Sequence, residues 1–127
     1  MAYLLDTQAF IWFLEGNPML PSKARQIISD VDNLICLSIA SLWEIGIKVS
    51  IGKLVLDRPF EKTIDKMNEE NIALLAIMPA HILKLMSLEF HHKDPFDRII
   101  ASQAIVEGLE IISSDDVFKL YPVSVKW

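Results

Sequence analysis

His92-Lys93-Asp94-Pro95-Phe96-Asp97-Arg98-Ile99-Ile100-Ala101-Ser102-Gln103-Ala104, stopped by Gly108 and followed by Glu110-Ile111-Ile112-Ser113, reads as a helix feeding directly into a buried strand. Asp94 can accept from a free backbone N–H at the helix start, and Pro95 at the first helical position wastes no donor. Phe96, Ile99, Ile100, Gln103 and Ala104 then recur at helical spacing on one face. Asp94 is explained as a cap. Asp97 is less well explained, because one cap is enough.

The same alternation extends outward in both directions. Tyr3-Leu4-Leu5 is a continuous apolar run, ended by Asp6-Thr7 and a helix from Gln8 to Leu14 that Gly16-Asn17-Pro18 breaks. Pro21-Ser22 starts a second helix to about Ser29, with Ala24, Ile27 and Ile28 inward. Leu34-Ile35-Cys36-Leu37 is a second buried-type strand. Ser38 or Ser41 can cap the next helix, which runs to about Ile51 and is almost wholly apolar except for Glu44. Leu54-Val55-Leu56 reads as a short extended piece, and Pro59 opens an amphipathic helix to about Glu70.

Ile72 to Ile77 reads as a third strand. Pro79 opens a helix through Leu88 with Ile82, Leu83, Leu85 and Met86 inward. After the fourth strand at residues 110–113, Asp115-Asp116-Val117-Phe118 opens a short helix, and Val123-Ser124-Val125 is a weaker last strand. Continuously apolar strands alternating with helices imply a parallel sheet covered on both faces.

Composition narrows the function classes. The chain has 127 residues, 52% of them hydrophobic, which suits one globular domain spanning 1–127 with a real core. Twelve Lys and Arg against seventeen Asp and Glu give a formal charge of −5, so general electrostatic attraction to nucleic acid is not expected. The single cysteine, Cys36, excludes an intrachain disulfide and cysteine-paired zinc sites; a lone thiol in an apolar run suits a reducing cytoplasm. Asp6 follows only five residues and no basic segment precedes it, so the N-terminus does not read as a signal peptide. No apolar run approaches the ~18 residues that span a bilayer, so no membrane is expected.

Four carboxylates sit where charge is costly unless paired or bound to metal: Asp6 at a strand end, Glu44 in an apolar helix, Asp97 beside an apolar face, and Asp115 after the last strong strand. In parallel sheets ligands bind beyond the carboxyl ends of the strands, where these residues fall. Clustered carboxylates are relieved by a hard cation, and such ligands suit Mg²⁺ or Mn²⁺ acting with a substrate phosphate. Structural roles compete: Asp6 and Asp115 could be caps, and Glu44 could pair with Lys48 one turn on. His91 and His92 read as solvent-facing loop residues, and Trp12, Phe13 and Trp43 as core or partner contacts. Asp116 reads as a solvated charge.

Leu4-Leu5-Asp6-Thr7, Ser41-Leu42-Trp43-Glu44-Ile45, the 92–98 stretch and Ser113-Ser114-Asp115-Asp116-Val117-Phe118 resemble, in order and spacing, the PIN-domain nucleases, and among them the VapC-type toxins of bacterial toxin–antitoxin pairs. The resemblance spans essentially the whole chain. Ser113 stands where the family pattern usually has Thr, a mild departure that keeps the hydroxyl. The resemblance implies a three-layer α/β/α sandwich around a parallel five-stranded sheet, with Asp6, Glu44, Asp97 and Asp115 as the metal site. It implies Mg²⁺-dependent cleavage of RNA, restraint by a cognate antitoxin, and a homodimer. Arg98 and Lys48 are candidates to meet phosphate. A phosphoacceptor receiver-like module fits worse, because the third strand ends in Met78-Pro79 with no acceptor Asp. A catalytically silent partner-binding domain is the remaining alternative.

Overall fold

A computed structural model describes residues 1–127. Five strands form one sheet: β1 (Ala2–Leu5), β2 (Leu34–Ser38), β3 (Ala73–Leu75), β4 (Glu110–Ile112) and β5 (Val125–Lys126). They lie in the order β3-β2-β1-β4-β5, every neighbouring pair parallel. Six α-helices cover it: α1 (Thr7–Glu15), α2 (Ser22–Ser29), α3 (Ile39–Ser50), α4 (Phe60–Glu69), α5 (Pro79–Ser87) and α6 (Pro95–Glu107), with a 3₁₀ turn over Asp116–Leu120.

The period-2 side-chain alternation of the strands sorts the core into two layers. Tyr3, Leu5, Ile35, Leu37 and Ile112 point to one face, where they meet Phe10, Ile28, Ile45 and Met67 of α1 to α4. Leu4, Cys36 and Ile111 point to the other, against Ile100, Ala101 and Ala104 of α6 and Phe118 and Tyr121. The fold is thus the expected α/β/α sandwich, with β1 at its centre and both neighbours hydrogen-bonded to it. The chain builds β1, β2 and β3 outward on one side and returns across the sheet to lay down β4 on the other. That reversal leaves a crevice beside the carboxyl ends of β1 and β4.

Local chemistry sets the element ends. Asp6, Ser38, Asp94 and Asp115 each accept a backbone N–H at the start of the helical segment that follows. Gly16 and Gly108 end α1 and α6 in the left-handed conformation, at φ 65° and 67°.

The structure departs from expectation at the periphery. The third strand keeps only Ala73–Leu75 of residues 72–77, because an edge strand pairs on one side alone and Met78-Pro79 already starts α5. The last strand lies at Val125–Lys126, past Pro122, rather than at 123–125. Residues 54–56 form no strand; Leu54 and Leu56 pack on the core while Val55 is exposed. On α5 the expected inward residues Ile82, Leu83 and Met86 are 44%, 67% and 74% exposed. This helix lies along α6 rather than on the sheet, and its buried side chain is His81. No helix is long and apolar enough to cross a membrane.

Candidate active site

The crevice beyond β1 and β4 holds a cavity of about 300 Å³ whose walls carry Asp6, Glu44, Asp94, Asp97 and Asp115, faced by Lys48 and Lys53. All four carboxylates singled out in the sequence therefore reach one cleft. They arrive from the end of β1, the middle of α3, the first turn of α6 and the segment after β4.

Asp6 is placed by the β1–α1 junction. Its own N–H donates to Ile112 O of β4 at 3.1 Å, and its Oδ1 accepts from Ala9 N at 2.8 Å. The Ser113 hydroxyl donates to Oδ2, and Ser113 Oγ in turn accepts from Asp115 N at 2.9 Å. Burial pushes the Asp6 carboxyl up to about 6; the Ser113 and Ala9 hydrogen bonds pull against this, while Asp115 and Glu44 add to it. Asp115 itself is exposed, and its Oδ1 accepts from Val117 N at 3.0 Å.

Glu44 is buried on the inner side of α3. The Thr7 hydroxyl donates to Oε1 at 2.7 Å, and Thr7 Oγ1 lies 2.9 Å from Ser41 Oγ. Lys48, one turn on, donates to Oε2 at 2.7 Å, and this bond holds the ammonium above its ordinary range. The i, i+4 pair expected from the sequence thus exists, inside the cleft rather than instead of it.

Asp94 caps α6 through its Oδ1, which accepts from Phe96 N at 2.9 Å and Asp97 N at 3.3 Å. Asp97 has no such anchor. Burial, followed by the charges of Asp94, Asp115, Glu44 and Asp6, pushes its carboxyl up to about 7. No three of these groups are already closed around a cation-sized point. The hydrogen bonds just described account for this, since four of the five carboxylates are each tied to their own caps and donors.

Two expectations are corrected here. His92 does not face solvent: its Nδ1 lies 2.7 Å from Tyr121 Oη, and its Nε2 is buried and 3.5 Å from Asp97 Oδ2. Arg98 does not reach the cleft as a phosphate contact. It is 4% exposed, and its guanidinium donates to the carbonyls of Glu89, Leu85 and Leu88 and to Tyr121 Oη, pinning the α5–α6 loop. Sequence reasoning passed over Lys53, which Gly52, in the left-handed conformation at φ 74°, turns back toward α3, its N–H donating to Lys48 O at 2.8 Å. A glycine stop followed by a lysine was the available signal. Trp43 is 64% exposed beside the cleft residues of α3, its ring edge-on to Phe96 at 5.3 Å, and so is not core.

Comparison with known proteins adds a family to this geometry. No curated protein sequence matches the chain. Solved structures do match in fold. VapBC2 from Rickettsia felis, bound to a DNA fragment from its promoter, superposes with a TM-score of 0.73 at 18% identity, covering 99% of this chain and 98% of that one. VapBC-1 from nontypeable Haemophilus influenzae gives 0.69 at 17%, covering 99% and 97%. FitAcB from Neisseria gonorrhoeae gives 0.65 at 18%, covering 98% and 96%. These likenesses establish a shared fold. The PIN domain family itself matches residues 3–123, nearly the full length, and this chain belongs to it.

Proposed function

We propose that the protein is a metal-dependent endoribonuclease, the toxin of a VapC-type toxin–antitoxin pair. The observation that carries the reading is the meeting of Asp6, Glu44, Asp97 and Asp115, from four distant segments, in one cleft at the carboxyl ends of β1 and β4. The donor set fits Mg²⁺, with Mn²⁺ as a substitute: it is all oxygen, it is open to water, and it carries excess negative charge that a hard cation relieves. Asp6, Glu44 and Asp97 would hold the ion, and Asp115 would complete or support the set. When bound, the ion polarises the phosphoryl oxygen and eases deprotonation of the attacking water.

The chain's own groups do the rest. Asp6 and Glu44 are fixed before substrate arrives by Ala9, Ser113 and Thr7, so little reorganisation is left for the reaction. Lys48 and Lys53 place positive charge at the cleft, where an RNA phosphate must approach a surface that is acidic overall. The solved structures of like fold include VapBC complexes and a toxin–antitoxin complex, which supports a cognate antitoxin as partner here; a homodimer and a cytoplasmic setting complete the proposal.

The test is cleavage of structured RNA by purified protein with Mg²⁺ and with chelator. Activity should vanish in chelator and fall by about 100-fold or more in Asp6→Asn and Asp97→Asn, since a lost ligand should cost no less than the 10–100-fold of a lost outer-shell partner. Cleavage that persists in both variants would remove these carboxylates from the reaction, and a wild type that cuts no RNA with either ion would leave the silent, partner-binding reading in its place.

A further inference from the structure

Asp97 is the one cleft carboxylate that no amide, hydroxyl or lysine holds, and what faces it is His92. The His92 Nε2 atom is buried, has no hydrogen-bond partner, and lies 3.5 Å from Asp97 Oδ2. A buried, unpartnered ring nitrogen is costly unless it serves something close by.

The groups behind the ring determine which nitrogen carries the proton. The Arg98 guanidinium can only donate, and it donates to Tyr121 Oη at 3.3 Å. Tyr121 Oη has no partner besides Arg98 and His92, so its own proton goes to His92 Nδ1, 2.7 Å away. The neutral imidazole then carries its hydrogen on Nε2, the atom aimed at Asp97. Arg98 is itself locked by the carbonyls of Glu89, Leu85 and Leu88, so the relay starts from a rigid point. A shift of about 0.5 Å brings Nε2 and Oδ2 to ordinary N–H···O distance, and such bonds tighten when a site is loaded.

We propose that His92 is the positioning residue for Asp97: the Arg98–Tyr121–His92 chain presents Nε2–H to Oδ2 and leaves the other carboxylate oxygen for the cation. This deepens the nuclease reading and rests on it. Ligating carboxylates held from behind in this way lose on the order of 10–100-fold in metal affinity or activity when the holder is removed.

The experiment measures Mn²⁺ affinity by titration calorimetry, thermal midpoint, and the imidazole tautomer by ¹⁵N NMR, in wild type, His92→Ala, His92→Gln, Tyr121→Phe and Asp97→Asn. The proposal expects the proton on Nε2 in wild type and a mixed tautomer in Tyr121→Phe. Mn²⁺ affinity should fall about tenfold or more in His92→Ala, with partial rescue in His92→Gln, whose amide can still donate. Tyr121→Phe keeps the buried ring, so it decides the matter if His92→Ala does not fold. A wild-type proton on Nδ1 overturns the proposal. So does Mn²⁺ binding that Asp97→Asn abolishes while folded His92 and Tyr121 variants leave it unchanged; that result spares the metal site. A wild type that binds no Mn²⁺ overturns both readings together.

Discussion

Lys48 Nζ sits 2.7 Å from Glu44 Oε2, so a lysine occupies an oxygen that the proposed cation would need. The pair spans one turn of α3, with the lysine half-exposed and the glutamate buried. An ion pair with one exposed partner contributes little to stability, about 0–1 kcal/mol. On the proposed metal-dependent reading, the pair would neutralise Glu44 until a cation displaced the ammonium and left it free for phosphate. Lys48→Ala should therefore unfold within about 1 kcal/mol of wild type while binding Mn²⁺ at least as tightly. Its cost should appear as a raised KM for RNA. Weaker Mn²⁺ binding in Lys48→Ala, read by calorimetry, would contradict the displacement.

Ser113 ties two cleft residues together through a single hydroxyl, donating to the Asp6 carboxylate and accepting from the Asp115 backbone N–H. Ser113→Ala strips Asp6 of a bond that lowers its carboxyl, leaving burial less opposed. A hydrogen bond to a charged, buried group is worth about 1.5–3 kcal/mol, so the variant should lose stability in that range at neutral pH. Its activity profile should shift to higher pH, because Asp6 ionises later. Ser113→Thr, with the same hydroxyl, should restore both, as measured by denaturant melts and rate against pH.

Much of this site is legible in the sequence for a simple reason. An apolar strand that stops at an Asp places that Asp at the sheet's carboxyl edge; Asp6 announces itself this way, and Asp115 follows the apolar β4 after two serines. Glu44 is legible because so little else on the buried part of α3 is charged. Other features depend on the path of a loop and leave no local mark. Arg98 follows Asp97 in sequence, yet its guanidinium turns away to carbonyls of residues 85, 88 and 89. His92 looks like a loop residue until Tyr121, from beyond β4, closes over it. The apolar spacing of α5 correctly marks a helix but not which way it faces, because its partner is another helix rather than the sheet.

Charge burial in the cleft should set a pH dependence of the metal-free fold. The Asp97 and Asp6 carboxyls titrate at about 7 and about 6, above the ordinary 3.8 they regain on unfolding. Between these values the folded chain holds more protons than the unfolded one, so stability falls as pH rises from about 4 to about 7. Asp97→Asn removes the larger share of that burden. It should stabilise the metal-free protein at pH 8, on the order of 1 kcal/mol, and change little at pH 4. Saturating Mn²⁺ should reverse the order at pH 8, since only wild type gains from binding. Thermal midpoints across pH, with and without Mn²⁺, check all three statements.

The outer face of α5 presents Ile82, Leu83 and Met86, one helical stripe, with Met78 before it and Phe90 after it, all exposed. Apolar side chains gathered in this way on a surface mark a contact rather than a solvent face. If the proposed homodimer forms through this face, a second α5 related by a two-fold axis would bury the same stripe on both copies. Leu83→Glu with Met86→Glu places like charges on both sides of that contact and should convert a dimer to monomers in light scattering. Both positions lie outside the core, at 67% and 74% exposure, so the thermal midpoint of each folded chain should hardly move. Cleavage per chain should persist, because the cleft is lined by α1, α3, α6 and the segment after β4 and takes nothing from α5. A wild type that is monomeric at high concentration sinks the two-fold contact and assigns the stripe to another partner.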